Sequence, residues 1–183
     1  FYSLYAGPSL NTRMGEVDVQ GVARVGYNRF ENDALLVDAQ GAPVDVFDDS
    51  MTYLGQIRAG VRPDTMLPVG LAVTAGGFQE DIANLDQRVR DLYVRGDVTV
   101  PVSPSLALVA GAGYENVEIS SRDALRDANG VPLIGSGGRF VTDPASPRII
   151  AYDVDGLLWD VGVMWRPSSR TSLEARVGER YDS

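Results

Sequence analysis

The stretch "GLLWDVGVMWRPSSRTSLEARVGERY" (156–181) places an apolar side chain at every second position across two consecutive segments. Leu157, Trp159, Val161, Val163 and Trp165 form one such row, and Leu173, Ala175 and Val177 form the next. Asp160, Glu174, Arg176 and Arg180 fall between them. A period of two is that of a β-strand, whose successive side chains point to opposite faces. The apolar row then needs a dry neighbour, which is either the core of a soluble barrel or the hydrocarbon of a bilayer. Alternation alone does not choose between these, so the choice rests on connection lengths and aromatic placement.

Eight strands are expected, at about 1–8, 16–28, 51–62, 67–78, 92–102, 105–117, 149–166 and 171–182. Helical periodicity is weak throughout, apart from a short turn inside "DIANLDQRVRDL" (81–92). Short connections, "SLNTRMG", "RPDTML", "VSPS" and "RPSSR", alternate with long ones near 29–50, 79–91 and 118–148. The short connections carry the Pro, Asn, Asp, Ser and Gly that set turn dihedrals. Short turns at one end and long loops at the other are the pattern of an antiparallel up-and-down transmembrane β-barrel. The chain is therefore expected to form a single all-β barrel segment of eight strands.

Each strand offers the two rows such a barrel requires. Val17, Val19, Gly21, Ala23, Val25 and Tyr27 oppose Asp18, Gln20, Arg24 and Asn28; Tyr53, Ile57, Ala59 and Val61 oppose Gln56, Arg58 and Arg62; Leu92, Val94, Val98 and Val100 oppose Arg95, Asp97 and Thr99. Ala107, Val109, Gly111 and Gly113 leave no polar row, and their small size leaves room for a neighbouring loop or side chain to pack inside. Tyr93 sits on the polar row, and Phe78, after Gly76 and Gly77, looks out of phase, which suggests a bulge. Tyr27, Tyr53, Tyr114 and Tyr181 close their apolar rows at the long-loop end, while Trp165 lies beside a short turn and Trp159 shares its row. Aromatic bands around an aliphatic belt match the girdles at the two membrane interfaces. Lipid is then the partner of the apolar rows, and Arg24, Arg58, Arg95, Asp97, Asp160, Glu174, Arg176 and Arg180 are the candidate lining of a hydrated lumen.

Composition removes other classes. Hydrophobic residues make up 44% of the chain, but no segment approaches the roughly 18 consecutive apolar residues of a membrane helix. With no Cys and no His, disulfides, thiolate metal sites, cysteine nucleophiles and histidine-dependent catalysis are excluded, and no metal or cofactor is expected. A net charge of −9 argues against nucleic acid as a partner. "GAGYEN" (111–116) ends a strand with no helix after it, so it is small-residue strand rather than a dinucleotide fingerprint. "DVDG" (153–156) lacks ligands at both anchors of a calcium loop. The loop acids Asp45, Asp48, Asp49, Glu80 and Asp81 are read as solvated charge, with outer-surface ion collection as the alternative.

The chain starts at Phe1 without a signal-like segment, so any signal peptide is expected to lie outside it. If the short turns are periplasmic, both ends of the chain lie outside. Closed barrels with periplasmic termini would then need a further strand at each side, giving ten or more.

The stretches "YAGPSLNTRMGEV", "YVRGDVTVPVSPSLALVAGAGYE" and "GRFVTDPASPRIIAYDVDGLLWDVGVMWRPSSRTSLEARVGERY" resemble a family of largely uncharacterised outer-membrane β-barrel proteins of Gram-negative bacteria. Some of its members carry a misleading label as a preprotein translocase accessory subunit. The resemblance implies an outer-membrane location, a signal peptide and additional strands, and it brings no catalytic residue. Two functions are expected to compete. One is porin-like passage of small polar solutes through the charged lumen; the other is a structural or surface-interaction barrel with a plugged lumen and partner-binding acidic loops. Enzymatic activity is not expected.

Overall fold

A computed structural model describes residues 2–30, 36–37, 43–44, 48–64, 67–135 and 138–181. The chain forms β1 (Tyr2–Ala6), β2 (Ser9–Met14), β3 (Val17–Arg29), the two-residue pair β4 (Leu36–Val37) and β5 (Pro43–Val44), β6 (Ser50–Val61), β7 (Gly70–Ile82), a 3₁₀ turn (Asn84–Asp86), β8 (Gln87–Ser103), β9 (Leu106–Ser121), β10 (Ile149–Ser168) and β11 (Thr171–Arg180). The main sheet is an antiparallel meander in which β1 and β2 both pair with β3, followed by β6, β7, β8, β9, β10 and β11. It is open, with β1 and β2 at one edge and β11 at the other.

The expected first strand is therefore longer than its alternation up to residue 8 suggests. "SLNTRM" is strand rather than turn, and reversal comes at Gly15–Glu16, where Gly15 has φ +61°. Pro8 has no N–H to give the ladder, which separates β1 from β2. The break stays tight because Ala23 N donates to Pro8 O at 3.0 Å and a side chain at Gly7 would overlap the carbonyl oxygen of Ala23. Register is continuous through Gly76, Gly77 and Phe78, so no bulge occurs there. Phe78 lies on the inner face opposite Leu54 and Asp91 by simple alternation. The register shifts fall instead at Pro101/Ser103, Ile150/Tyr152 and Trp165/Ser168.

The long connections differ from one another. Residues 79–91 are mostly strand, because β7 and β8 continue to a tight reversal in which Leu85 and Asp86 adopt positive φ. The helical turn expected in 81–92 shrinks to that single 3₁₀ turn. The connection between β9 and β10 is folded by isolated bridges, Ala124 to Thr142, Arg126 to Pro132 and Ile134 to Phe140. In the connection between β3 and β6, the expectation covers residues that lie partly outside those described.

Pairing registers put the expected apolar residues on one face of the sheet. Val19, Ala59, Val73, Gly96, Ala112 and Trp159 form one such row across six strands. The opposite, inner face carries the row Asp18, Gly60, Ala72, Asp97, Gly111, Asp160 and Gly178. Among the described residues no apolar core stands behind either face. Among the described residues only Val109 and Ala124 are buried hydrophobics, whereas Val161, Val163 and Val177 are 47%, 40% and 70% exposed. The accessible surface is 11880 Å², well above the roughly 8,600 Å² expected of a compact monomer of 19.7 kDa. Those valines form a continuous apolar surface on the outer face of the open sheet.

Strand lengths show where that surface stops. A strand crosses a bilayer in about 9–11 residues, but β8 has 17 residues and β10 has 20. Toward the long-loop end the outer row of β8 passes from Val94 and Leu92 to Arg90 and Arg88. On β9 it passes from Ala112 and Tyr114 to Asn116 and Glu118, and on β10 from Trp159 and Leu157 to Asp155 and Asp153. The strands thus continue past the apolar belt with a polar outer row.

Candidate functional site

The inner face is organised by one spacing. Asp97 on β8 and Asp160 on β10 both pair with Gly111 on β9, so they are two strand spacings apart, about 9–10 Å. Arg95 spans that gap: its Nε donates to Asp97 Oδ1 at 2.8 Å and its Nη2 lies 2.6 Å from Asp160 Oδ2. Arg176 approaches from β11, with Nη1 2.7 Å from Asp160 Oδ1 and 4.0 Å from Asp97 Oδ1, and it also donates through Nε to Glu174. From the other side Arg58 reaches over β7, donating to Thr74 Oγ1 at 3.1 Å and to Asp97 Oδ2 at 3.3 Å. The result is a continuous ladder, Arg58–Asp97–Arg95–Asp160–Arg176–Glu174, spread over the inner faces of β6 to β11.

Six of the eight expected lumen residues therefore meet in one network. Arg180 belongs to a second cluster nearer the long-loop end, where it grips Glu115 through both Nε (2.6 Å) and Nη2 while Tyr181 donates to Glu115 Oε2 at 2.6 Å. Such a two-pronged arginine–carboxylate pair fixes orientation as well as charge. Arg24 stands apart, exposed on the inner face opposite Leu54. Tyr93, the expected exception, does face inward, and its ring covers Gly76, so that a Cβ there would lie 2.8 Å from it. Glu115 was hidden inside "GAGYEN", although it shares the phase of Gly111 and Gly113. That phase was the available signal.

Five of the six expected aromatics share one face of the sheet, and the sixth does not. Tyr27, Tyr53, Tyr114, Trp159 and Trp165 lie on the outer face. Tyr27 packs edge-on against Tyr2 at 6.5 Å and donates to Asp49 Oδ2 at 2.6 Å, and Tyr114 donates to Asp155. Each hydroxyl thereby ties an outer-face ring to a carboxylate. Tyr181 does not join them. Its φ of +64° breaks the alternation and turns the ring inward beside Gly156, onto Glu115.

At the long-loop end the connections are tied to one another. Asp86 receives Arg122 Nε at 2.9 Å and Arg148 Nη2 at 2.6 Å, and Arg122 N donates to Leu85 O at 2.8 Å. Buried Asp48 pairs with Arg139 at 2.7 Å, and Ser50 Oγ donates to Glu80 Oε1 at 2.6 Å. Above the belt, Asp81 is paired with Arg88 at 2.6 Å. Partial burial works to raise the Asp81 carboxyl, but hydrogen bonds from Arg88 and Gln79 outweigh it and hold it below the ordinary carboxylate value. Asp48, Asp49, Glu80 and Asp81 are thus engaged with the protein's own donors, while Asp45 lies outside the described residues. Among the described residues no group of His, Cys, Asp and Glu is arranged to hold a metal ion.

No family model and no curated protein matches this chain. Among solved structures it is similar to OmpT, an outer membrane protein of Vibrio cholerae folded in vitro and seen in a trimer form, with a TM-score of 0.60 and 15% identity. The match covers 97% of this chain and 45% of that one, so the chain spans less than half the length of its structural neighbour. At that identity the likeness speaks for the fold, which is that of an outer-membrane β-barrel.

Proposed function

We propose that the chain forms part of the wall of a barrel in the outer membrane of a Gram-negative bacterium, with porin-like passage of small polar solutes along its inner face. The observation that carries this reading is the inner ladder. Arg58, Arg95 and Arg176 keep 44%, 23% and 34% of their side-chain surface exposed while bound to carboxylates, so water and solutes reach them. Charged side chains on a hydrated wall set which ions and solutes pass. Here three arginines face three acids, Asp97, Asp160 and Glu174, and the ladder has no net charge. Such a wall repels neither ion strongly and presents alternating poles to dipolar or zwitterionic solutes. The reading is of passage down a gradient rather than of a reaction.

The plugged alternative requires loop acids free to bind a partner. Asp48, Asp49, Glu80, Asp81 and Asp86 are instead each engaged within the protein, which favours the open reading. Planar-bilayer conductance of the full-length protein tests it. Ohmic steps with weak ion selectivity are the expected result, and an electrically silent bilayer containing correctly inserted protein contradicts it.

A further inference from the structure

Resting on the porin-like reading, we infer that Gly111 is a positioning residue that sets the charge the wall presents to the lumen, by letting Arg95 lie flat against β9. Gly111 is the cross-strand neighbour of both Asp97 and Asp160. A Cβ at this position would overlap Arg95 Nη2, and would lie 2.6 Å from Arg95 Cζ and 2.7 Å from Asp97 Oδ1. The guanidinium therefore occupies the space a side chain would fill. Gly113, paired directly with Arg95, differs, since a Cβ there would meet the backbone of β8 first, at Val94 O and at Arg95 Cα (3.0 Å).

The consequence is electrostatic. With Gly111 bare, Arg95 bridges two carboxylates and its charge is neutralised at the wall. With a side chain at 111, the guanidinium can no longer cross β9 and must rise into the lumen. Asp97 keeps Arg58, and Asp160 shares Arg176 with Glu174, so one negative charge is left uncompensated at the wall while the freed cation stands nearer the lumen axis, where it meets passing ions first. A protruding positive charge attracts anions into the passage and repels cations. Net charge is unchanged, so only its position distinguishes the variant from the native wall.

The test uses full-length protein, native and Gly111→Val, in planar bilayers under a potassium chloride gradient. The chloride-to-potassium permeability ratio is expected to rise about two-fold or more in Gly111→Val, and the rise is expected to vanish when Arg95→Gln is added. Gly96→Val serves as control, because Gly96 faces outward and a Cβ there meets nothing nearer than 3.9 Å; it should leave the ratio unchanged. If Gly111→Val does not give the β-sheet circular dichroism of the native protein, Gly111→Ala replaces it, since one methyl group already overlaps Nη2. An unchanged ratio, or a rise that persists without Arg95, overturns the inference. If the native protein inserts but is silent, the porin-like reading fails, and the inference is judged by urea unfolding in detergent. Non-additive effects of Gly111→Val and Arg95→Gln support it there, and additive effects overturn it.

Discussion

The belt and the emergent ends of the same strands obey opposite rules. Within the belt, β8 turns Val94 and Val98 outward and Arg95 and Asp97 inward. A few residues farther along, it turns Arg88 and Arg90 outward and Val89 inward. On β9, outward Ala110, Ala112 and Tyr114 give way to Asn116 and Glu118, and the inner face takes Val117 and Ile119 after Gly111, Gly113 and Glu115. The ladder of hydrogen bonds runs through the change without a break in register. Solvent outside the sheet, not the backbone, therefore decides which row is apolar. On the proposed reading, lipid surrounds one stretch of the strand and water the next.

Substitutions of matched chemistry at different depths put this contrast to the test. The largest effect is expected from Val161→Arg, in the outward belt of β10. Unfolding from lipid vesicles in urea should show a loss of about 2–4 kcal/mol, the cost of a cation facing hydrocarbon. Asp153→Lys, also outward on β10 but above Leu157, should change stability by less than about 0.5 kcal/mol in the same titration. Equal costs at the two positions would mean that both face the same medium.

A smaller effect is expected on the inner face. Asp160→Asn removes the negative charge shared by Arg95 and Arg176 and leaves one acceptor oxygen for the two; the partial exposure of both arginines limits the penalty to about 1 kcal/mol. The same variant should shift conductance toward anions, a readout that no outward substitution shares. Smaller again is Asp86→Ala, which releases Arg122 and Arg148. Protease cleavage between residues 122 and 148 should accelerate, with the urea midpoint of the barrel almost unchanged.

The smallest effect concerns acid. Asp127 accepts the backbone N–H groups of Val131 at 2.9 Å and Asn129 at 2.8 Å, which hold its carboxyl below the ordinary value in a turn completed by Gly130 at φ +82°. Its folded pKa is depressed, so its contribution is fully present above the unfolded value and is lost as pH falls through the folded one. Amide protection at Asn129 and Val131 should therefore hold near about pH 5 and fall toward about pH 2. Protection that instead rises on acidification would contradict the sign.

Much of this was legible in the sequence because a strand's period of two is strict. The rows on β3, β6, β8, β10 and β11 could be separated without knowing the pairing. What was not legible depends on pairing or on single dihedrals. That Arg95 meets Asp160 follows from β8 and β10 flanking the bare Gly111, a relation 65 residues long in sequence. Tyr181 looks like a girdle residue by phase, and only its positive φ sends it to Glu115. Residues 79–91 look like a loop because their outward row is polar. Apart from the reversal at 83–86 they are strand, since a polar row does not mean a loss of pairing. The extension of the first strand past Pro8 was masked for a related reason, because "SLNTRM" has the composition of a turn and yet pairs fully with β3.

The chain has no cysteine, so single cysteines can be introduced without background. Spin labels at residues 163 and 177 on the outer face, and at 99 and 160 on the inner face, would be read in lipid vesicles for collisions with oxygen and with a water-soluble nickel complex. Oxygen concentrates in hydrocarbon and the nickel complex in water. The expected result is strong oxygen and weak nickel collisions at 163 and 177, with the reverse at 99 and 160. Nickel collisions dominating at 163 and 177 would contradict the assignment of the valine face to lipid.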